Sequence, residues 1–239
     1  LLYKVSLKSS AHIFFQNNSD LDLFLQSNLV NFSKSSVIPG SGVNTTVFKQ
    51  NKITNAGRKF LFVGRLIGDK GVFEYLEAAA EILEEYPNVD FLLAGQLGYN
   101  NRTALTLNQL KSYTDVNAKI VYLGKTDDMY SLLQSVDVMV LPSYREGLSK
   151  SLVEAASMSL PIITTDVPGC NDVVKHEYNG LVCKVKSVES LRLSMKRIIE
   201  ISAEQRHKMG LNGRKIVLMK FDEVIVIKRY LNVIKAILN

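Results

Sequence analysis

Asp137-Val-Met-Val-Leu-Pro142-Ser-Tyr-Arg-Glu146-Gly-Leu-Ser-Lys-Ser-Leu-Val-Glu154-Ala-Ala156, followed by Leu160-Pro-Ile-Ile-Thr-Thr165-Asp-Val-Pro-Gly169, decides the fold class. Val138 to Leu141 reads as a buried strand, and Pro142 stops it because proline supplies no amide proton to a sheet ladder. Ser143 to Gly147 is a short polar loop. A helix is expected from about Leu148 to about Met158, with Leu148, Leu152, Ala155 and Ala156 on one apolar face. Pro161 ends it, and Ile162 to Thr165 is a second short strand rich in β-branched residues. Strand, loop, helix and strand make one parallel crossover unit. The expected class is α/β, a Rossmann-like parallel sheet with helices on both faces and its polar loop at the carboxyl end of a strand, where such sheets take ligands.

Two carboxylates stand eight positions apart across that unit, Glu146 in the loop and Glu154 in the helix. At roughly 1.5 Å per helical residue they would be held about 10 to 12 Å apart. Paired glycosidase carboxylates lie about 5 to 9.5 Å apart, so these two read as acceptors for opposite ends of one elongated, hydroxyl-rich ligand. Free amides of Gly147, Leu148 and Ser149 at the helix start would meet an anionic middle section. The helix dipole alone also favours acids near a helix start, and spacing by itself leaves both readings open.

The segment closely resembles the nucleotide-sugar signature of retaining glycosyltransferases of the GT-B fold, family 4 or group 1. That family carries a Glu, seven residues and a second Glu in a phrase much like Pro142-Ser-x-x-Glu146-Gly and, further on, Glu154-Ala. The resemblance implies that Glu146 faces the donor sugar hydroxyls and Glu154 accepts from the nucleotide ribose. It also implies that the amides of Gly147, Leu148 and Ser149 help to hold sugar and diphosphate.

Upstream, Lys59 to Val63 is a nearly continuous apolar strand, as expected for a position buried on both faces. Gly64-Arg65-Leu-Ile-Gly68-Asp-Lys70-Gly71 follows, then a helix from Val72 to about Tyr86 expected to turn Phe73, Leu76, Ala80 and Leu83 inward. Gly64 permits a tight turn or close approach to a ligand. Arg65 is a planar fork of donors and Lys70 a point charge, both suited to phosphate oxygens, although such residues in a loop are commonly just solvated. The phrase resembles the family's Gly-Arg-Leu-x-x-x-Lys-Gly, which implies that Arg65 and Lys70 clamp the diphosphate. Lys119 to Leu123 is another strand, and its resemblance to the family implies backbone contacts from Tyr122, Leu123, Gly124 and Lys125 to the nucleotide base. Tyr122 as ordinary core is the competing reading. A helix is expected somewhere in Gly98 to Leu110, and Asp127 is expected to cap a helix over Met129 to Gln134 that turns Leu133 inward. Pro168-Gly169 matches the family's Pro-Gly-Gly, with Gly169 shaping the loop beside the sugar. Cys170 departs from it, and either lines the pocket or packs.

The chain has 239 residues, 46% of them hydrophobic, with a formal charge of +6. That is a globular composition, and no run of residues is long and apolar enough to span a bilayer. No basic tract interleaves with regular aromatics, which argues against nucleic acid and leaves an anionic membrane surface as the partner suited to the charge. Three scattered histidines, His12, His176 and His207, and two cysteines without ligand spacing argue against a metal centre.

Residues 11–15 read as a strand, Asn17 to Asp20 as a turn and cap, and 20–29 as a helix. Ile38-Pro-Gly-Ser-Gly-Val-Asn44 resembles the phrase that closes the family's first domain. The expected organisation is therefore residues 1–42 as the remnant of an acceptor-side domain with its linker, the passage lying near 40–55. Residues 43–223 form the nucleotide-sugar-binding domain, and 224–239 a terminal helix crossing back toward the first. With no initiating methionine, the chain reads as a fragment lacking its N-terminal domain and inactive alone. The resemblance implies transfer from a nucleoside-diphosphate sugar, UDP-linked, to a glycan or polyprenyl-lipid-linked acceptor, without cofactor or metal. The setting it implies is the cytoplasm, with a peripheral place at the inner face of the cell membrane. The competing classes are a non-catalytic nucleotide-sugar-binding module of the same fold and an NAD-dependent oxidoreductase. The latter is opposed by the absence of a Gly-x-Gly-x-x-Gly turn after the opening strand.

Overall fold

A computed structural model describes residues 2–49 and 57–238. The chain opens with helix α1 (Leu2–Ser6), strand β1 (Ile13–Phe15), helix α2 (Asn18–Gln26) and strand β2 (Ser35–Val37), the two strands pairing in parallel. Then follow β3 (Lys59–Val63), α3 (Val72–Glu85), β4 (Asp90–Ala94), α4 (Leu107–Thr114), β5 (Ile120–Gly124), α5 (Met129–Gln134) and β6 (Val138–Leu141). The chain ends with α6 (Lys150–Ser157), β7 (Ile162–Thr165), β8 (Gly180–Cys183), α7 (Val188–Glu200), α8 (Ala203–Lys220) and α9 (Glu223–Leu238). Strands β3 to β8 form one parallel sheet in the order β5-β4-β3-β6-β7-β8.

Every residue of β6 and β7 is buried, and all of β3 but Lys59, so these strands read as apolar runs rather than alternations. Helix α3 packs on α7 and α6 on α8. The inward face of α3 is set by Val72, Tyr75, Leu76, Ala79, Ile82 and Leu83, while Phe73 and Ala80, expected inside, are only half-buried. The reason is Tyr75: its hydroxyl donates to the carbonyls of Phe60 and Leu92, 3.0 Å each, so a fully buried phenol is satisfied across two adjacent strands.

Several starts and caps differ from expectation: β1 begins at Ile13 rather than residue 11, and α2 at Asn18 rather than residue 20. Helix α4 begins only at Leu107, where Thr106 and Gln109 form a reciprocal capping box, and the residues before it are loop. Asp128, not Asp127, caps α5 through the Ser131 amide. Helix α6 begins at Lys150 with Ser149 as its cap, so Gly147 and Leu148 lie in the loop before it.

The passage just after the first 42 residues is tied to the sheet domain. Val43 pairs with Asp222, its amide donating to the Phe221 carbonyl at 2.8 Å and its carbonyl accepting from the Glu223 amide at 3.0 Å. Arg214 donates to the carbonyls of Thr45, Phe48 and Ser157. The part of the expected interdomain passage at 50–55 lies outside the described residues. On α9, Tyr230 meets Phe14 edge-on at 4.8 Å between ring centroids, while Val224, Ile227 and Leu231 are exposed.

Candidate donor site

Strand order reverses direction between β3 and β6: the chain runs outward through β4 and β5 on one side, then returns to β6 and continues through β7 and β8 on the other. The loops leaving these two strands must part, and the crevice between them is the ligand position in such sheets. Gly64, Arg65 and Lys70 follow β3, and Glu146 to Ser149 follow β6. Arg65, Lys70 and Glu146 are thus delivered to one crevice by topology.

Within it, Lys70 and Glu146 meet. The ammonium donates to Glu146 Oε1 at 2.5 Å, and the two side chains are only 16% and 10% exposed, so each charge depends on the other. Arg65 is exposed, and its side chain has no hydrogen bond or ion pair among the described residues. Glu154 does not touch Glu146. It sits in the first turns of α6, is 6% exposed, and pairs with Lys150 at 3.6 Å. Burial pushes its pKa up, partly opposed by Lys150. The ionised form is therefore less comfortable in the folded chain than in the unfolded one. Glu154→Gln is expected to raise stability against urea at pH 7, by an increment that shrinks as the pH falls into the ordinary carboxylate range, where the wild-type side chain is itself protonated. Equal increments at pH 7 and pH 4 would contradict this.

The loop bearing Glu146 is clamped from two sides. The Tyr144 amide and the Ser143 hydroxyl donate to the Asp69 carbonyl, at 2.9 and 3.1 Å, and the Glu146 amide donates to the Pro168 carbonyl at 3.2 Å. Gly71, at φ +73°, lies so close to Pro142 that a Cβ there would stand 2.2 Å from the proline carbonyl oxygen. Gly169, at φ +80°, approaches the Glu146 carbonyl in the same way, 2.5 Å for a Cβ, and its amide donates to Asp172 at 2.9 Å. Tyr144 donates to Glu74 at 2.5 Å, and burial with that acidic partner raises its pKa.

With α6 starting at Lys150, Gly147 and Leu148 contribute loop amides rather than helix amides. The amides of Gly147, Leu148 and Ser149 nevertheless have no hydrogen-bond partner among the described residues, leaving three successive donors for an anion or a hydroxyl. Farther along the sheet, the Tyr122 hydroxyl donates to the Gly95 carbonyl at 2.9 Å and so ties β5 to the end of β4. Leu123 is exposed, Gly124 adopts φ +74° facing open space, and Lys125 pairs with Asp127 at 3.2 Å on the surface. These residues stand at β5, three strand spacings from β6, roughly 14 Å at 4.8 Å each, and do not touch the Lys70–Glu146 pair. Cys170 packs: it is fully buried, burial pushes its thiol up to about 11, and Cys183 up to about 12, so neither is a nucleophile. Among the described residues, no group of three or more His, Cys, Asp or Glu side chains is placed to hold a metal ion, and no helix is long and apolar enough to cross a membrane.

Sequence reasoning treated Asn17 as a cap only and passed over Gln16. Both reach the Glu146 loop. Asn17 donates to the Gly147 carbonyl at 2.8 Å, and Gln16 occupies the space above Gly147, its Oε1 2.2 Å from where a Cβ would be. The separation of 130 positions hid the first of these contacts, although the paired amides Gln16-Asn17 at a strand end were visible.

The chain is 29% identical over 251 residues to the N,N'-diacetylbacillosaminyl-diphospho-undecaprenol alpha-1,3-N-acetylgalactosaminyltransferase of Campylobacter jejuni, covering 100% of this chain and 64% of the relative. It is 28% identical over 245 residues to the UDP-Gal:alpha-D-GlcNAc-diphosphoundecaprenol alpha-1,3-galactosyltransferase of Escherichia coli, covering 91% and 61%. The chain therefore spans a little under two thirds of the length of these curated relatives. Among solved structures it superposes on a glycosyltransferase from Rickettsia africae with a TM-score of 0.86 at 18% identity, covering 100% of this chain and 67% of that one. Anabaena HepE in complex with UDP-glucose gives 0.85 at 17%, covering 98% and 66%. At such identities the likeness speaks for the fold, the sheet domain of a GT-B protein. A sequence profile described as "Glycosyl transferases group 1" matches residues 43–216, most of the chain and all of the β3-to-β8 sheet, and the chain belongs to that family.

Proposed function

We propose that this chain is the donor-binding part of a retaining glycosyltransferase that moves a sugar from a UDP-sugar to a hydroxyl of a lipid-linked or glycan acceptor in cell-surface polysaccharide synthesis. The observation that carries the reading is the Lys70–Glu146 pair at the β3/β6 crevice, with Arg65 and three loop amides that have no partner among the described residues. Arg65 and Lys70 would hold the diphosphate, where cleavage of the sugar bond builds negative charge on the leaving oxygens and fixed donors stabilise it. Glu146 would accept from the sugar hydroxyls, with Gly147, Leu148, Ser149 and Gly169 forming the wall beside them. Glu154 would accept from the ribose. The β5 end, Tyr122 to Lys125, would meet the base, and Gly64 lets the backbone come close to the phosphates. Retention would follow from leaving phosphate oxygens assisting the acceptor on the same face, without a metal, because cations and amides supply the positive charge. The two relatives quoted above are named for diphospho-undecaprenol acceptors, which favours a lipid-linked acceptor and a place for the enzyme at the cytoplasmic face of the membrane.

Calorimetric titration of the chain with UDP, GDP, ADP and NAD tests the donor assignment. UDP is expected to bind most tightly and NAD not at all. Preference for NAD would replace this reading with a nicotinamide-dependent one, and preference for GDP or ADP would correct the base.

A further inference from the structure

We infer that Asn17, which lies before the family-matched residues, is a positioning residue for Glu146, so that the first 42 residues set the geometry of the sugar end of the donor site. This rests on the donor reading above and assigns part of that site to a segment outside the sheet domain. Asn17 is 2% exposed and uses both ends of its amide. Its Oδ1 accepts from the Asp20 amide at 2.7 Å, capping α2. Its Nδ2 donates to the Gly147 carbonyl at 2.8 Å, to Asp20 Oδ2 at 3.0 Å, and reaches the Glu146 carbonyl at 3.5 Å.

Capping alone does not require this residue. Asp and Ser cap about as well as Asn, but neither side chain at this position supplies an N–H to a carbonyl oxygen while accepting with its other end. The choice of Asn is explained by the second task. Two further contacts converge on the same loop from the same segment: Gln16 lies against Gly147, and Asp20 pairs with Arg145. The Arg145–Asp20 pair is largely exposed and weak by itself, whereas the Asn17 contact is enclosed, so the amide carries the positioning. Since Gly147 follows Glu146 directly, freeing its carbonyl leaves the amide bond to Pro168 as the backbone hydrogen bond of Glu146 among the described residues.

Asn17→Ser keeps a capping oxygen and replaces the amide N–H that reaches the Gly147 carbonyl by a shorter hydroxyl. In the 239-residue chain, amide hydrogen exchange at Tyr144 and Glu146, the loop amides bonded to the Asp69 and Pro168 carbonyls, is expected to quicken by about 3- to 10-fold, the worth of one hydrogen bond, with α2 protection unchanged. Calorimetry with UDP, UDP-galactose and UDP-N-acetylgalactosamine supplies the second readout. The variant is expected to bind the tighter of the two sugar nucleotides about 3- to 10-fold less well than wild type, with UDP affinity unchanged. Asn17→Ala should show the same selectivity shift together with faster exchange in α2. Unchanged loop exchange in Asn17→Ser overturns the inference, and so does a parallel loss of UDP and sugar-nucleotide affinity, which would mark a general structural role. A wild-type chain that binds none of the three ligands overturns the donor reading and removes Asn17 from any sugar site, while loop exchange still decides whether the contact forms.

Discussion

Lys70→Ala is expected to weaken UDP binding by about 10- to 100-fold, because it deletes a charge-assisted contact worth about 1.5–3 kcal/mol. Glu146→Ala is expected to do something different. In the structure Glu146 is the counter-ion of Lys70, so its removal leaves the ammonium available to the diphosphate. UDP affinity should hold or rise, while the extra affinity for a sugar-bearing nucleotide disappears. Sugar transfer by the whole enzyme should fall by about 100- to 1,000-fold for Lys70→Ala, the range seen when one donor to a developing charge is deleted. Each single variant also strands a partly enclosed charge, so stability should drop more in the singles than in Lys70→Ala/Glu146→Ala combined, a non-additivity that a double-mutant cycle reads directly. UDP affinity unmoved by Lys70→Ala would remove the diphosphate from this crevice.

Gly71→Ala is expected to be strongly destabilising. The residue sits at φ +73°, where a side chain costs about 1–2 kcal/mol, and its new methyl would stand 2.2 Å from a backbone oxygen, that of Pro142, which cannot rotate away. Displacing that backbone adds about 1–3 kcal/mol. A total near 2–5 kcal/mol predicts a melting temperature lower by about 5–15 °C. Gly124→Ala is the control: its φ is +74°, but a Cβ there meets nothing within 4 Å, so only the backbone strain should show. Equal losses for the two variants would mean that the packing of Gly71 on Pro142 does not matter.

Much of this architecture could be read from residue order alone, for reasons visible in particular elements. Val138 to Leu141 and Ile162 to Thr165 emerged as strands with the bounds expected, because a fully buried strand bounded by proline has no other reading. The terminal helix, expected over 224–239, spans Glu223–Leu238. The start of α6 was placed two residues early because Leu148 fits the helical period. The Ser149 side chain, which accepts from the Leu152 amide, outweighs that pattern. In α3 a phenol was passed over in favour of Phe73, since a period cannot show that two strand carbonyls wait for a hydroxyl. The candidate residues were legible as types at spacings, Arg65 and Lys70 after one strand and Glu146 after another. Their contacts were not: Lys70 and Glu146 are 76 positions apart, and only the sheet order brings them face to face.

The bridge between Val43 and Asp222 also joins two distant parts of the chain at one place. The chain leaves the first 42 residues at Gly42 and starts α9 at Glu223, and these two passages touch, a Cβ on Gly42 falling 2.8 Å from the Glu223 backbone. Arg214 adds to the same junction by gathering the Thr45 and Phe48 carbonyls. The leading segment is thus sewn to the sheet domain by separate stitches, one where it ends and another where Asn17 closes on Gly147.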